Sequence, residues 1–305
     1  MRICSLVPAA TEILFALGLG DSLVAVSGQC ELPTGAGGIA RVVEPAMTLG
    51  GCSSAAVDTI IRQRLRDAAP LYRVDVVRLR ALRPALIVTQ ELCDVCAIGA
   101  SDVRQAISAL RPRPRIVSLH AHTLADVFEE IRLLGDETGR GGNASSLIQA
   151  LQSRLEQVRR RISVVTSRPR VFCVEWLEPL MACGHWVPEM VGLAGGVEVI
   201  GKPGARSRAV TWSEVIEAQP EVLILMPCGV AIQQTRQELG LLRRAPGWER
   251  LPAVQRGSVY LVDGPSYFNR AGPRLVDGVE VLAGALHPEC GWPPAPAQAI
   301  ERLLD

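Results

Sequence analysis

The chain has 305 residues, with 32 basic against 31 acidic side chains and a net charge of +1. That balance leaves no electrostatic footprint for nucleic acid or an anionic membrane surface. At 48% apolar and 21% charged residues the composition is that of a globular protein, and the length suggests about two domains.

The first half alternates strand and helix. Apolar runs predict strands near residues 3–7, 22–27, 85–89 and 115–119, and helices near 9–17, 54–66, 75–82 and 101–110. Gly18 and Gly20 follow the first helix, as a C-terminal stop requires. A helical stretch without strands then runs from about Thr123 to Ser163, broken by Gly139, Gly141 and Gly142. Its second part, from Ala144, carries Leu147, Ile148, Leu151, Leu155, Val158 and Ile162 at helical spacing. A long helix between two strand-rich halves reads as a stiff connector. Strands return near 170–174, 197–200, 221–226 and 258–262. Thr211-Trp212-Ser213-Glu214 is a capping-box pattern. Gly272-Pro273 precedes a helix with an apolar face at Leu275, Val276, Val279, Leu282 and Leu286. The Pro293 to Pro296 strap leads to a last short helix. The longest apolar runs are strand-length, short of the ~20 residues a membrane span needs, so the chain is not expected to be membrane-embedded.

A faint internal repeat joins the halves. Residues 81–90, around Pro84, resemble 218–227, around Pro220: a helix end, a proline, a buried strand, then a loop holding a cysteine. Cys30, Cys93, Cys96, Cys228, His120 and His122 all follow such runs. In open parallel sheets ligands bind along the carboxyl edge of the strands, so these side chains have a way to converge. The alternative for each cysteine is plain burial as a small hydrophobe.

The opening, Ile3-Cys4-Ser5-Leu6-Val7-Pro8-Ala9-Ala10-Thr11-Glu12-Ile13-Leu14, and its sequel from Ala16 to Val26 resemble the substrate-binding proteins of ABC importers for cobalamin, haem and siderophores. The Pro84 strand, Gly195-Gly196 and the run from Ser266 to Arg274 fit the same pattern. The nearest likeness is the cobalamin branch. The resemblance implies an α/β fold of two Rossmann-like lobes with mostly parallel sheets, joined by a long α-helix, with a ligand cleft between the lobes. The lobes are expected at residues 1–122 and 165–305, with the connector at 123–164.

It further implies non-catalytic binding of cobalamin or a related corrinoid. Gln29, Glu31, Gln90, Glu91, Trp176, His185, Trp186, Tyr267, Phe268, Asn269 and Arg270 are the ligand-binding candidates. Trp176, Trp186, Tyr267 and Phe268 supply apolar faces in a chain with only 4% aromatic residues; the rest supply polar groups, a mixture suited to a binding pocket. Trp186 and Phe268 also read as lobe-core residues.

Other readings stay open. Cys93-Asp94-Val95-Cys96, with Cys183 and His185, suits zinc, iron or a metal chelate such as haem or a siderophore. His185, His120 or a thiolate is also a candidate axial ligand to a corrinoid cobalt. A thiol-dependent enzyme would use Cys183 with His185, but neighbours at i and i+2 rarely face each other as nucleophile and base must. The chain carries no G-x-S-x-G, no phosphate-binding G-x-x-x-x-G-K-[ST] and no H-E-x-x-H. Because a strand begins at Ile3, no export signal is visible, and nine cysteines, an odd number, suit a reducing compartment. A cytoplasmic protein is therefore expected, storing, sensing or delivering a corrinoid, with an ABC permease or a corrinoid-dependent enzyme as partner.

Overall fold

The computed structural model describes residues 1–91, 98, 100–108, 110–296 and 298–303. The chain divides into two compact units. The first is Met1–Cys52, Thr59–Ala121 and Ala125–Gln149; the second is Ser53–Asp58, His122–Leu124 and Ala150–Asp305. Neither is a continuous stretch, and the last division falls inside a helix both units share.

Through the first half run β1 (Ile3–Ser5), α1 (Pro8–Ala16), β2 (Leu23–Ser27), β3 (Ala40–Pro45), α2 (Ser54–Arg66), β4 (Tyr72–Val74), α3 (Val76–Leu82), β5 (Leu86–Gln90), α4 (Ala100–Ala106), β6 (Arg115–Leu119), α5 (Leu124–Glu137) and the shared helix α6 (Gly141–Ile162). The sheet order is β4-β3-β2-β1-β5-β6. All pairs are parallel except β3 with β4. The central strands are apolar without alternation because both faces are covered. Cys4 lies here at 0% exposure beside Leu6, Val42, Leu79 and Ile87.

The second half continues with β7 (Arg170–Trp176), β8 (Met181–Ala182), α7 (Val187–Leu193), β9 (Val197–Glu198), β10 (Arg208–Ala209), α8 (Trp212–Ala218), β11 (Val222–Leu225), α9 (Ile232–Arg243), α10 (Pro252–Gln255), β12 (Val259–Val262), α11 (Gly264–Tyr267), α12 (Leu275–Leu286) and β13 (Ile300–Arg302). The sheet order is β10-β8-β7-β11-β12-β13, with β9 also pairing β7. β7, β11 and β12 are parallel; β8, β10 and β13 run antiparallel to their neighbours. All five residues of the apolar stripe expected on α12 are buried. From its other side Asp277 and Glu280 hold Arg154, whose Nε lies 2.9 Å from Glu280 Oε1.

The repeat is structural. α3 ends with Arg83 in the left-handed region (φ 46°), and Pro84 then leads into β5. α8 ends with Gln219 likewise (φ 44°), and Pro220 leads into β11. Each helix has seven residues and a side-chain N-cap: Asp75 accepts from Arg78 N, while Thr211 and Glu214 form the full capping box. A proline just past a C-cap stops the helix because it cannot continue it.

The tail departs from expectation. The last element is a strand, β13, pairing Tyr260 with Arg302 and Val262 with Ile300. Leu303 N donates to Val259 O, and Arg302 Nε to Gly257 O. The nine residues after Pro296 are fewer than a stable helix needs on its own, whereas the edge of β12 offers open hydrogen-bonding groups. Among the described residues no helix is long and apolar enough to cross a membrane.

Candidate functional site

In the second unit the carboxyl ends of the parallel strands put Glu175 and Trp176 after β7, Pro227-Cys228 after β11, and the segment from Asp263 to Arg270 after β12. A chain of hydrogen bonds ties these loops together. Ser207 Oγ donates to Glu175 Oε2 at 2.6 Å and accepts from Gly184 N at 3.2 Å. Cys228 N donates to Glu175 O. Asn269 Nδ2 donates to Met226 O at 3.3 Å. Trp186 Nε1 donates to Phe268 O at 2.7 Å.

His185 sits in this frame with its backbone fully used. Its N–H donates to Ala205 O at 2.6 Å and its carbonyl accepts from Gly204 N at 2.9 Å. It is held at φ 51°, a conformation uncommon outside glycine. A side chain on Gly184 would overlap Ala205 O and Ser207 N, so glycine lets the two segments run this close. The His185 ring lies edge-on to His122, with centroids 5.3 Å apart, and 5.7 Å from the Trp186 ring. Its Nδ1 is enclosed without a hydrogen-bond partner. Burial, then His122, then Arg206 push its pKa down to about 4. At neutral pH the ring is therefore an uncharged imidazole, the form that ligates metals.

Trp176 is half-buried; its Nε1 donates to Ser54 O at 3.2 Å and Glu178 O at 3.1 Å. Arg270 is half-buried. Asn269 Oδ1 is enclosed without a partner, and its close approach to Gly264 leaves no room for a side chain there. Trp186 and Phe268, at 4% and 1% exposure, pack inside the unit rather than offering a face. Tyr267 lines a different hollow of about 930 Å³, with Arg154, Tyr260, Glu280 and Trp292. Burial and the nearby Asp263 and Asp277 carboxylates raise its pKa.

In the first unit the corresponding edge carries the loop after β2. Arg41 Nη1 donates to Gly28 O at 2.6 Å, and the exposed Glu44 carboxylate lies over the open face of Gly28. Gln29 and Glu31 are exposed, and Gln29 lines a hollow of about 480 Å³ with Glu44, Met47, Ile61 and Tyr72. Cys30 is buried, its Sγ 3.0 Å from Thr11 Oγ1. Gln90, half-buried, ends β5; Glu91 is exposed and meets Arg104 at 3.4 Å. The loop after β6 is gripped from below. Glu130 Oε1 accepts from His120 N at 2.5 Å and Ala121 N at 2.7 Å, while Oε2 is enclosed without a partner.

The members of the thiol reading are only partly described. Cys93 and Cys96 lie outside the described residues. Cys183 is 2% exposed, with its N–H on Cys173 O. Burial and its hydrogen bond to the Cys173 thiol push the Cys183 pKa well up. Burial likewise takes Cys173 to about 11. A buried thiol held protonated is a poor nucleophile. Among the described residues no group of three or more His, Cys, Asp and Glu stands ready to hold a bare metal ion.

A family model described as periplasmic binding protein matches residues 73–265, more than half of the chain. The chain belongs to the periplasmic binding protein family. Among curated proteins it is 24% identical over 295 residues to the uncharacterized ABC transporter substrate-binding lipoprotein YvrC of Bacillus subtilis, covering 94% of this chain and 80% of that one. It is 26% identical over 284 residues to the vitamin B12-binding protein of Vibrio cholerae, covering 92% and 86%. The solved structure of periplasmic vitamin B12 binding protein BtuF of Vibrio cholerae aligns with a TM-score of 0.65 at 23% identity, over 93% of this chain and 96% of that one. That of a periplasmic heme binding protein from Pseudomonas aeruginosa gives 0.71 at 18%, over 99% and 97%. At these identities the structural likeness speaks to the fold alone.

The two-lobed α/β architecture expected from the resemblance is the one this periplasmic binding protein has. The cytoplasmic assignment is overturned: the family is one of periplasmic proteins, and one relative is a lipoprotein. A first strand at Ile3 marks where the fold begins and carries no information about compartment. The thiols in the strands, Cys4 and Cys173, are core atoms rather than signs of a reducing milieu.

Proposed function

We propose that this periplasmic binding protein is a non-catalytic, extracytoplasmic receptor for a corrinoid of the cobalamin type, which it delivers to the permease of an ABC importer. The observation that carries this reading is the likeness to vitamin B12-binding proteins along nearly the whole chain. The second unit's sheet edge supports it, combining a half-buried indole, Trp176, with a neutral imidazole, His185, in a braced loop. Sites for such ligands are mainly apolar with a few placed polar groups, and these two side chains are of those kinds. Gln29, Glu31, Gln90 and Glu91 on the first unit's edge, and Asn269 and Arg270 on the second's, are the proposed partners of peripheral amides. Trp186 and Phe268 pack inside the second unit behind its own loops.

A second reading, binding of a haem-type iron chelate, is favoured by the heme-binding structural neighbour. Visible-absorption titrations of the purified protein with hydroxocobalamin and with haemin separate the two. Saturable one-to-one binding of the corrinoid, with haemin much weaker, is the expected result. Preference for haemin establishes the second reading, and binding of neither overturns both.

A further inference from the structure

We infer that Cys173 and Cys183 are joined by a disulfide when the chain matures outside the cytoplasm, a covalent staple between β7 and the turn of chain after β8. The disulfide is independent of ligand binding and rests on the extracytoplasmic reading above, which supplies oxidising surroundings.

Strand register sets the pair up. β7 and β8 run antiparallel with Val174 opposite Ala182. One step further out, Cys183 N donates to Cys173 O at 3.1 Å, so the two cysteines stand directly across from each other. Val174 and Ala182 point with Phe172 into one core cluster, and side chains alternate along a strand, so both cysteines take the opposite face. Hydrogen-bonded antiparallel partners have Cα atoms about 5.5 Å apart, inside the ~4.4–6.8 Å that a disulfide spans. The two thiols already interact with each other. Beside them Glu198 Oε2 accepts from Cys173 N at 3.0 Å. At 0% and 2% exposure both residues are closed to solutes once the strands pair, so the link forms while this part of the sheet is still assembling. The oxidant is a disulfide, carried by an extracytoplasmic thiol–disulfide oxidoreductase or as oxidised glutathione. One cysteine thiolate attacks it, forming a mixed disulfide and expelling one thiolate; the other cysteine then attacks its partner's sulfur and expels the second. Two electrons pass from the cysteines to the donor, and the two protons they lose are balanced by the two donor thiols released. The link closes over residues 174–182 and restricts the unfolded chain, while burial shields it from reductants afterwards.

The test refolds the full, reduced chain from denaturant in a mixture of oxidised and reduced glutathione, then alkylates the remaining thiols with iodoacetamide in fresh denaturant. Proteolysis after Glu175, which lies between the two cysteines, parts them unless they are linked. The expected result is a joined pair of peptides that separates on reduction, found also in protein recovered from the extracytoplasmic compartment. Glutathione added to the folded, reduced protein is expected to form the link at least about tenfold more slowly, because local opening has to come first. The linked protein is expected to melt a few degrees above its reduced form, a gap that Cys173→Ala combined with Cys183→Ala abolishes. Where that variant fails to fold, the peptides of the wild type decide. Alkylation of both Cys173 and Cys183 in the refolded protein overturns the pairing, and so does linkage of either one to a different cysteine. Recovery of the chain from the cytoplasm alone, with the link still forming on refolding, overturns the compartment and leaves the pairing in place.

Discussion

Each unit seats a carboxylate against backbone N–H groups, and the two are used differently. In the second unit Glu198 spends both oxygens: Oε1 accepts from Ile200 N and Gly201 N, and Oε2 from Cys173 N, all at 3.0 Å. In the first, Glu130 spends only Oε1, on His120 N and Ala121 N, and leaves Oε2 enclosed and idle. Burial raises the pKa of both, against the lowering effect of those N–H groups. For Glu130 the result is about 7. A carboxylate pinned from both sides is a structural pin; one pinned from a single side can take up a proton near neutral pH.

The largest test of that contrast is Glu198→Ala, which strands three N–H donors. At about 1–3 kcal/mol for each unsatisfied group, the loss is expected to be at least ~3 kcal/mol in urea unfolding at pH 7. A loss below 1 kcal/mol would show that water replaces the carboxylate without penalty. Next is Glu130→Gln, read as a function of pH. The folded-state value lies above the ordinary 4.5, so the folded protein holds this proton more tightly than the unfolded chain. The stability it contributes is full below about pH 4.5 and is lost as pH rises through about 7, spanning roughly 3 kcal/mol. Gln keeps an acceptor oxygen and cannot titrate, so the variant's stability relative to wild type should rise between pH 5 and pH 8. Parallel curves would refute the assignment.

The repeated helix–proline–strand segments allow finer comparisons. Thr211→Ala breaks a reciprocal box and Asp75→Ala a single cap. Each should cost about 1 kcal/mol, with Thr211 the larger; the reverse order in denaturant midpoints would mean that the Glu214 arm of the box contributes nothing. The smallest effect is at the two left-handed C-caps. Arg83→Gly relieves an L-residue there and should stabilise by a few tenths of a kcal/mol. Gln219→Gly should gain nothing, because it also loses the Nε2 bond to Ile216 O at 2.6 Å. Equal melting temperatures for the pair would remove that distinction.

The central strands were legible because a run such as Leu86–Gln90 or Val222–Leu225, buried on both faces, leaves an unbroken apolar word in the sequence. Pro84 and Pro220 marked their starts for a chain-geometry reason that holds in both units. The two-residue strands β8 and β10 are too short to carry a period. Why Gly184 must be glycine depends on Ala205 and Ser207, some twenty residues away, and no local pattern announces it. The pairing of His122 with His185 spans two loops that only the fold brings together. Aromatic residues after a strand turn inward as readily as outward, so the sequence leaves Trp186 and Phe268 open between pocket face and lobe core, and the structure buries both. Glu130 lies on a helix whose spacing gives no hint that one of its carboxylates is enclosed.

Helix α2 has an unusual start. Ser54 N donates to both oxygens of Glu238 at 3.0 Å, and Ser54 Oγ to Oε2 at 2.5 Å, across a sequence separation of 184 residues. Most first-turn amides are protected by a neighbour three residues away, as Glu214 N is by Thr211. The Ser54 amide has no such local guardian. Its exchange with solvent deuterium can slow only once Glu238, from the other half of the chain, has arrived in place. That single amide thus times the arrival of this one long-range contact, read by isotope exchange with no chemical tag.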